Sequence, residues 1–277
     1  MTSNATNAQD ASRSRDANYI LHFSPFSLYS LMIRFSLVIG RRLSPESAPN
    51  VRIKLVNLIK GENFSEEYLT QVNSRGQVPA LTSPEFATPL AESRDIATWL
   101  CERQPGLVPD NHRDVIMDLL NKFYSYHCKA LSIPPNGLPN KAAAMLENPN
   151  LTATHRRALE IKSQFHNTLH TRTVEPENIQ LVEANTKSFM QDLTTLLQAQ
   201  SRGDSVWIFG EQPTILDAYA TVFILRLGEL KRDDLTTAET RAYAAQVKGT
   251  SEWDDTTHGR PTLWNESLGP VESFDPL

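Results

Sequence analysis

Residues 77–100 read QVPALTSPEFATPLAESRDIATWL, and this stretch decides the fold. Two short apolar segments, 78–82 and 85–90, are separated by a Ser-Pro turn, which predicts two strands. The segment that begins at Glu92, ESRDIATWLCERQ, has the periodicity of a capped amphipathic helix. Proline cannot donate a hydrogen bond to a β ladder, so Pro79 indicates a strand edge or a turn, and its position permits a cis Val78–Pro79 bond.

The residues before this stretch predict the rest of a compact α/β unit. YILHF at 19–23 and VRIKLV at 51–56 are typical of short strands, and SLYSLMIRFSLVIG predicts a helix that ends at Gly40. NFSEEYLTQVN predicts a further helix, with Ser65 as its N-cap. The predicted order over 19–104 is β-α-β-α-β-β-α, with a mixed sheet.

Beyond about residue 112 the sequence has helical periodicity only, which predicts an all-α domain over 112–277. The Pro-rich loop 133–140 and the tail after Lys248 are predicted to be irregular. Residues 1–18 are polar and are predicted to be a disordered leader, not a signal peptide. The predicted helices lie in RDVIMDLLNKFYSYHCKAL, LTATHRRALEIKSQFHNTLH, ENIQLVEANTKSFMQDLTTLLQAQ and TILDAYATVFILRLGEL.

The composition restricts the classes of partner. A net charge of -5 and an isoelectric point near 5.8 argue against nucleic-acid binding. The apolar runs are too short to span a bilayer, so no membrane partner is expected. Cys101 and Cys128 are far apart in the sequence, which predicts free thiols in a reducing cytoplasm and no metal-ligand cluster.

Three stretches could carry chemistry, and each also has a purely structural explanation. Glu92 and Ser93 lie at the mouth of a helix, where free N–H groups favour an anion, and Asp95 suits the first turn as a cap. The backbone of Val78 would face outward beside a kinked proline and could pair with an extended peptide-like ligand. Thr214 and the Asp three residues later have capping-box spacing, which we interpret as structural.

The chain resembles the cytosolic glutathione transferase family over about residues 19–230. Three motifs in this order carry the resemblance: QVPAL, then the ES that opens a helix, then TILD in the helical half. The resemblance implies a thioredoxin-like N-terminal domain that holds glutathione and a helical domain that holds an electrophile. It also implies a homodimer, since transferases of this family are usually dimers.

The same resemblance implies a set of glutathione-binding residues. Glu92 and Ser93 would bind the γ-glutamyl head group, and Val78, before a cis Pro79, would pair with the cysteinyl backbone. Many relatives carry a basic or His side chain where this chain has Gly76, so one contact to the glycine carboxylate is in question. The full expected set is Gln77, Val78, Pro79, Glu92, Ser93 and Arg94.

Ser27 is the expected catalytic residue. Theta, delta and zeta relatives use a serine at the start of the first helix, in a pattern close to S-x-x-C/S-x-x-V/I. Ser27, Ser30 and Ile33 fit that spacing, whereas Ser24 lies too early, before a proline. The hydroxyl would stabilise the thiolate of bound glutathione. The alternative is that Ser27 is an N-cap without a catalytic role.

The stretch 56–81, VNLIKGENFSEEYLTQVNSRGQVPAL, looks especially like the zeta class, whose members include maleylacetoacetate isomerases. That likeness adds a rival activity, cis-trans isomerisation by reversible addition of the thiolate to a conjugated double bond. The zeta pattern has a second Ser and a Cys where this chain has Leu28 and Tyr29, which weakens the isomerase hypothesis. Tyr29 could itself donate to the sulfur or to the substrate.

The electrophile site is expected to use the first helix and the residues near 112–135. Tyr124, Tyr126 and His127 lie beside the Pro-rich loop and suit a flat, hydrophobic electrophile. A third hypothesis is a non-catalytic glutathione-binding or interaction module. The tail GRPTLWNESLGPVESFDPL resembles the ends of some filamentous-fungal transferase-like proteins of secondary metabolism.

Overall fold

The computed structural model describes residues 18–134, 137–199, 205–210 and 212–274, so residues 1–17 of the predicted leader lie outside the described residues. The chain begins with a small mixed sheet and its helices and continues as helices, in the predicted order of classes. The elements of the first half are β1 (Tyr19–Phe23), α1 (Leu28–Leu43), β2 (Val51–Leu55), β3 (Ala80–Thr82) and α2 (Ser93–Arg103).

β1 is the central strand of this sheet, whose order is β2-β1-β3 among the described residues. It pairs in parallel with β2, where Leu21 faces Ile53, and antiparallel with β3, where Leu21 faces Leu81. Leu21 and Phe23 are fully buried, as the apolar run of β1 requires. The predicted strand at 85–90 is wrong, because only an isolated bridge between Leu81 and Leu90 forms there.

Two predictions for the first helices have different outcomes. α1 continues three residues beyond Gly40, so the predicted helix end there is wrong. Gly40 serves close packing instead, since a Cβ there would lie 2.0 Å from the side-chain oxygen of Gln104. The predicted N-cap at Ser65 is confirmed, because its Oγ accepts from the Tyr68 N–H at 3.2 Å, and a π-helical turn, Tyr68–Val72, follows.

The second half is helical throughout its ordered elements. The predicted helix over 113–131 ends at Tyr124, and a 3₁₀ segment, Cys128–Ser132, follows it. The predicted helix over 151–170 is α-helical as far as Phe165 and continues as a π-helical turn. The α-helices of five or more residues are α3 (Arg113–Tyr124), α4 (Lys141–Met145), α5 (Ala153–Phe165), α6 (Pro176–Ala199), α7 (Ile215–Glu229), α8 (Ala238–Lys248) and α9 (Ser251–Thr257).

The prediction of an irregular tail after Lys248 is wrong for α9. Thr250 caps this helix, because its Oγ1 accepts from the Trp253 N–H at 3.3 Å. Trp253 is buried with its ring centroid 5.4 Å from that of Phe35 on α1. No helix of the described residues is both long enough and apolar enough to cross a membrane.

Asp217 stabilises the start of α7, as its capping-box spacing predicts. Its carboxylate is fully buried and accepts from the backbone N–H of Thr214 at 2.7 Å and that of Ile208 at 2.9 Å. The hydroxyl groups of Thr214 and Tyr243 donate to the same carboxylate at 2.8 Å each. Burial raises the pKa of Asp217, and these donors act in the opposite direction.

We expect Asp217→Ala to lower the free energy of unfolding by roughly 3–5 kcal/mol, because it leaves several buried donors without an acceptor. Urea unfolding followed by circular dichroism measures this change. Asp118→Ala, which removes an exposed carboxylate from α3, is the control and should change stability by less than about 0.5 kcal/mol. Equal stability of the two variants would contradict the assigned role of Asp217.

Candidate functional site

Ser27 is the N-cap residue of α1, with φ and ψ of -83° and 124°. Its Oγ accepts from the Ser30 N–H at 3.4 Å and lies 3.5 Å from the carbonyl oxygen of Val78. This last distance is at the limit for a hydrogen bond, so the hydroxyl hydrogen is only weakly committed to Val78. A half-buried hydroxyl at a helix N-terminus is therefore available to donate to a ligand.

The loop before β3 has its carbonyl oxygens bound by side chains. The carbonyl of Val78 faces the Ser27 hydroxyl, and the Val78–Pro79 bond is cis, as the sequence permits. The carbonyl of Gln77 accepts from the Tyr68 hydroxyl at 2.8 Å and from the Asn73 Nδ2 at 3.0 Å. Pro79 is buried, while Gln77 and Val78 are half-buried.

The two preceding carbonyls are bound in the same way. Asn63 Nδ2 donates to the carbonyl of Gly76 at 2.8 Å. Lys162, on α5 of the helical half, donates through its ammonium to the carbonyl of Arg75. Three successive carbonyls, 75 to 77, thus accept from side chains, and one of these donors comes from the second half of the chain.

Gly76 and Lys162 fit each other closely. Gly76 has φ of +57°, and a Cβ there would lie 2.9 Å from the Asn63 carbonyl oxygen and 3.2 Å from Cε of Lys162. The Lys162 ammonium is buried, 5.6 Å from the ring centroid of Phe64 and 5.4 Å from that of Phe165. Lys162 therefore occupies the space that a side chain at position 76 would need.

Glu92 and Ser93 lie at the mouth of α2, as predicted. Glu92 is the N-cap residue by backbone conformation, but its side chain makes no capping hydrogen bond. Its carboxylate pairs instead with the guanidinium of Arg75, and both side chains are about half exposed. Ser93 is the first residue of the helix and is half-buried, and Asp95 supplies the acidic charge of the first turn.

Arg94 lies on another surface. Its Nη2 donates to the Asn121 Oδ1 at 2.8 Å, and its guanidinium lies 5.4 Å from the ring centroid of Tyr124. Both partners belong to α3, so the structure uses Arg94 to join α2 to the helical half. It does not bring Arg94 together with Ser27 and Val78, because consecutive residues of a helix point in different directions.

Tyr29 contacts the helical half close to Ser27. Its hydroxyl lies 3.2 Å from Sγ of Cys128, and burial, with the adjacent Cys128, raises the pKa of Tyr29 well above its ordinary value. Burial also raises the pKa of the Cys128 thiol to about 12, and that of Cys101 to about 12, so both thiols stay protonated. Both cysteines are free, as expected.

The residues expected at the electrophile site differ in how far they are exposed. Tyr124 is half-buried, and its hydroxyl donates to that of Tyr219. Tyr126 is 5% exposed and packs in the core, 6.1 Å from Phe123 between ring centroids, so it has no surface to offer a substrate. His127 is exposed next to it, and burial followed by the charge of Lys129 lowers the pKa of its imidazole.

Sequence reasoning missed two lysines at this site. Lys162 reaches the loop from α5, and Lys129, in the Cys128–Ser132 segment, interacts electrostatically with Glu92. A lysine in a helical pattern is usually a solvated residue, so neither position stands out in the sequence. A surface depression of about 430 Å³, lined by Asn18, Ile20, Gln71, Thr82, Ser83, Pro84, Phe86 and Pro89, contains none of the predicted site residues.

Residues 21–107 match the family model described as the glutathione S-transferase N-terminal domain. These residues form a glutathione S-transferase N-terminal domain. The matched residues include Ser27, the loop 75–78 and the first turns of α2. A comparison with curated protein sequences gave no match.

Solved structures extend the likeness to most of the chain. A bacterial maleyl pyruvate isomerase of the zeta class is 19% identical over 88% of this chain and 100% of its own, with a TM-score of 0.53. A maleylacetoacetate isomerase from Methylobacterium extorquens, crystallised with malonate and glutathione, is 16% identical over 89% and 100%, with a TM-score of 0.52. A glutathione transferase from Streptococcus pneumoniae, complexed with glutathione, is 13% identical over 90% and 86%, with a TM-score of 0.57.

At these identities the similar structures establish the fold. The predicted fold, a thioredoxin-like N-terminal domain followed by a helical domain, is therefore confirmed. The distances and hydrogen bonds given above for the residues around Ser27 are those of this chain.

We expect the stability of the protein to depend on pH through Lys162. Burial, with the nearby charge of Lys129, lowers the pKa of Lys162 to about 8 from its ordinary 10.5. Because the unfolded chain binds more protons than the folded one between these two values, stability rises with pH across that window. The unfolding free energy of the wild type should rise by about 2 kcal/mol relative to Lys162→Met between pH 7 and pH 9.5.

Urea unfolding at the two pH values measures this difference. Lys141→Met removes an exposed ammonium from α4 and should run parallel to the wild type across the same window. Parallel curves for the wild type and Lys162→Met would show that the Lys162 ammonium is not held in the buried position described above.

Proposed function

We propose that the protein is a glutathione transferase in which Ser27 stabilises the thiolate of bound glutathione for attack on a hydrophobic electrophile. The observation that carries the proposal is the position of the Ser27 hydroxyl. It caps the N-terminus of α1 and lies 3.5 Å from the Val78 carbonyl oxygen, beside a loop fixed by side-chain hydrogen bonds. A sulfur atom at this point would meet both a hydroxyl donor and the positive end of a helix.

The energy required is within reach of these two groups. A free thiol has a pKa of about 8.5, so only a few per cent of glutathione is thiolate at pH 7. Lowering that pKa by about two units corresponds to about 3 kcal/mol of preferential stabilisation of the thiolate. A charge-assisted hydrogen bond of about 1.5–3 kcal/mol and a helix dipole of about 0.3–1 kcal/mol together supply that amount.

In the reaction, glutathione loses its thiol proton to solvent and the Ser27 hydroxyl donates a hydrogen bond to the resulting thiolate. The sulfur then gives an electron pair to an electrophilic carbon of the acceptor. A carbon–sulfur bond forms, and the leaving group departs with the electron pair of its own bond. Ser27 remains protonated throughout, so its role is to stabilise the thiolate and not to remove a proton.

The remaining predicted residues would hold the peptide part of glutathione. The backbone of Val78 would pair with the cysteinyl unit, and Ser93 at the mouth of α2 would bind the γ-glutamyl carboxylate. Glu92 would bind the γ-glutamyl ammonium, for which it must share or release Arg75, its present ion-pair partner. Because that pair is half exposed, exchanging it for a ligand ammonium costs little.

A second candidate is a glutathione-dependent cis-trans isomerase, favoured by the likeness of 56–81 to the zeta class and by the fold shared with two isomerases. The thiolate would add reversibly to a conjugated double bond, which rotates before glutathione leaves. Leu28 and Tyr29 weigh against this activity, because they place a buried aliphatic and a half-buried aromatic residue where the zeta pattern is polar. A non-catalytic glutathione-binding module is the third candidate.

The other parts of the proposal follow from the family resemblance. We propose a thioredoxin-like domain over 19–104, a helical substrate-binding domain over 112–277, a homodimer and a cytoplasmic location. Tyr29 and Tyr124 are the proposed acceptor-binding side chains, with His127 at the exposed edge. Sedimentation of the purified protein tests the dimer.

We expect Ser27→Ala to raise the pKa of the bound thiol by one to two units and to lower kcat/KM at pH 7 by roughly 10- to 100-fold, since the thiolate loses its donor. The ultraviolet absorbance of the bound thiolate, titrated against pH, measures the first effect. Turnover with an aryl halide and with a maleyl-type diene measures the second and separates transferase from isomerase activity.

Ser30→Ala is the matched control, because Ser30 lies on the same helix and should leave the thiol pKa unchanged. Glutathione affinity should change less than about fivefold in Ser27→Ala, since the hydroxyl acts on the sulfur alone. An unchanged thiol pKa in Ser27→Ala would show that Ser27 is only a helix cap. Binding of glutathione with no turnover of either substrate would support the non-catalytic candidate.

A further inference from the structure

The carbonyl group of Phe26, the residue before Ser27, accepts a hydrogen bond from an arginine of the helical half. Nη2 of Arg226, on α7, lies 3.0 Å from this carbonyl oxygen, and the two residues are 200 positions apart in the chain. Arg226 is 4% exposed, so its guanidinium is buried where it makes this contact. Removing a guanidinium from water is unfavourable, and the hydrogen bonds that it makes in the interior must offset that cost.

A threonine of the C-terminal tail holds the Arg226 guanidinium in place. Nε of Arg226 donates to the Thr262 hydroxyl at 2.9 Å, and its Nη2 donates to the Thr262 carbonyl. Glu229, three residues further along α7, accepts from the hydroxyl of Thr262 at 2.7 Å and from its backbone N–H at 2.9 Å. Thr262 is 1% exposed. Hydrogen bonds from a planar guanidinium therefore fix its orientation, with Nη2 directed at Phe26.

The peptide between Phe26 and Ser27 is thus held at both of its polar atoms. The Ser27 N–H donates to the Ser24 carbonyl at 3.1 Å, and the Phe26 oxygen of the same peptide accepts from Arg226. Because a peptide is planar, fixing its oxygen and its nitrogen fixes the direction from which the chain enters Ser27. The Ser27 carbonyl is bound in turn by the Leu31 N–H at 3.0 Å. The backbone of Ser27 is therefore held on both sides.

The position of the Ser27 hydroxyl follows from this backbone. Its Oγ lies 3.4 Å from the Ser30 nitrogen and 3.5 Å from the Val78 oxygen, and hydrogen bonds of this length hold the side chain only weakly. A hydrogen bond also weakens steeply away from its preferred angle, so a hydroxyl that is to donate to a sulfur needs its position set by other contacts. The contact between Arg226 and Phe26 supplies that constraint.

We propose that Arg226 is a positioning residue for Ser27. It holds the Phe26–Ser27 peptide so that the Ser27 hydroxyl is directed at the sulfur of bound glutathione, and its action is indirect, through the carbonyl of Phe26. This proposal rests on the proposed function, because it takes Ser27 as the donor to the thiolate. The C-terminal tail takes part in the same arrangement, since Thr262 orients Arg226.

The experiment combines Arg226→Met with Ser27→Ala in a double-mutant cycle. Methionine keeps an unbranched side chain but cannot donate to the Phe26 carbonyl. The ultraviolet absorbance of the bound thiolate, titrated against pH, gives the pKa of the bound thiol in the wild type, the two single variants and the double variant. Thermal unfolding of each protein establishes that it is folded.

We expect Arg226→Met to raise the pKa of the bound thiol by about one unit, which is a tenfold change in the ratio of thiolate to thiol. In the Ser27→Ala background the same substitution should change that pKa by less than about 0.3 units, because no hydroxyl remains to be positioned. Turnover of an aryl halide by Arg226→Met should fall about five- to tenfold at pH 6 and stay within about threefold of the wild type at pH 9, where the thiol is ionised in both proteins.

Two further variants separate positioning from a general effect on the helical half. Thr262→Val removes the hydroxyl that orients Arg226 and keeps the shape of the side chain, so it should raise the thiol pKa by a smaller amount, about 0.5 units. Thr221→Val is the control, because it removes a buried hydroxyl of α7 that donates to Tyr243 and should leave the thiol pKa unchanged. If Arg226→Met does not fold, Thr262→Val decides the question in its place.

An unchanged thiol pKa in folded Arg226→Met would overturn the proposal and leave the proposed function standing. Equal pKa shifts with and without the Ser27 hydroxyl would also overturn it, since Arg226 would then act independently of Ser27. A loss of turnover that is the same at pH 6 and pH 9 would indicate a structural role alone and overturn it as well. An unchanged thiol pKa in Ser27→Ala would overturn the proposed role of Ser27, and this proposal with it.

Discussion

The four carbonyl groups of residues 75–78 are the constraint on which the candidate site depends. Those of residues 75–77 accept hydrogen bonds from the side chains of Lys162, Asn63, Tyr68 and Asn73, and that of Val78 lies 3.5 Å from the Ser27 Oγ. Buried carbonyls outside regular structure must find partners, so the donors fix the path of the loop. The position of Val78 relative to Ser27 follows from that path.

One of these donors makes the two halves of the chain depend on each other. Lys162 crosses from α5 to the Arg75 carbonyl, and its Cε packs closely against Gly76, 3.2 Å from where a Cβ would lie. Burying its ammonium is costly, as the lowered pKa indicates. A costly buried charge is retained where it fixes geometry, and here it fixes the loop that faces Ser27. The helical half thus contributes a hydrogen bond to the loop that faces Ser27.

The expected site residues were only partly brought together, for reasons of geometry that a sequence does not contain. The N-cap position of Ser27 follows from its place before an apolar helical pattern, which is local information. Arg94 follows Ser93 directly, yet it lies against Asn121 because adjacent residues of a helix differ by about 100° in direction. Tyr126 lies next to the exposed His127 but packs in the core. The predicted strand at 85–90 is wrong, because a short apolar run is compatible with an isolated β-bridge as well as with a strand.

By itself, the sequence determined the class of fold, the N-caps at Ser27 and Ser65 and the buried capping carboxylate of Asp217, because each depends on residues within a few positions of one another. Only the tertiary structure decided that the Lys162 ammonium reaches the Arg75 carbonyl. These two residues are 87 positions apart in the chain, and their contact depends on how α5 packs against the sheet unit. Local patterns specify helices and caps, whereas charge placed by packing across domains appears only once the chain has folded.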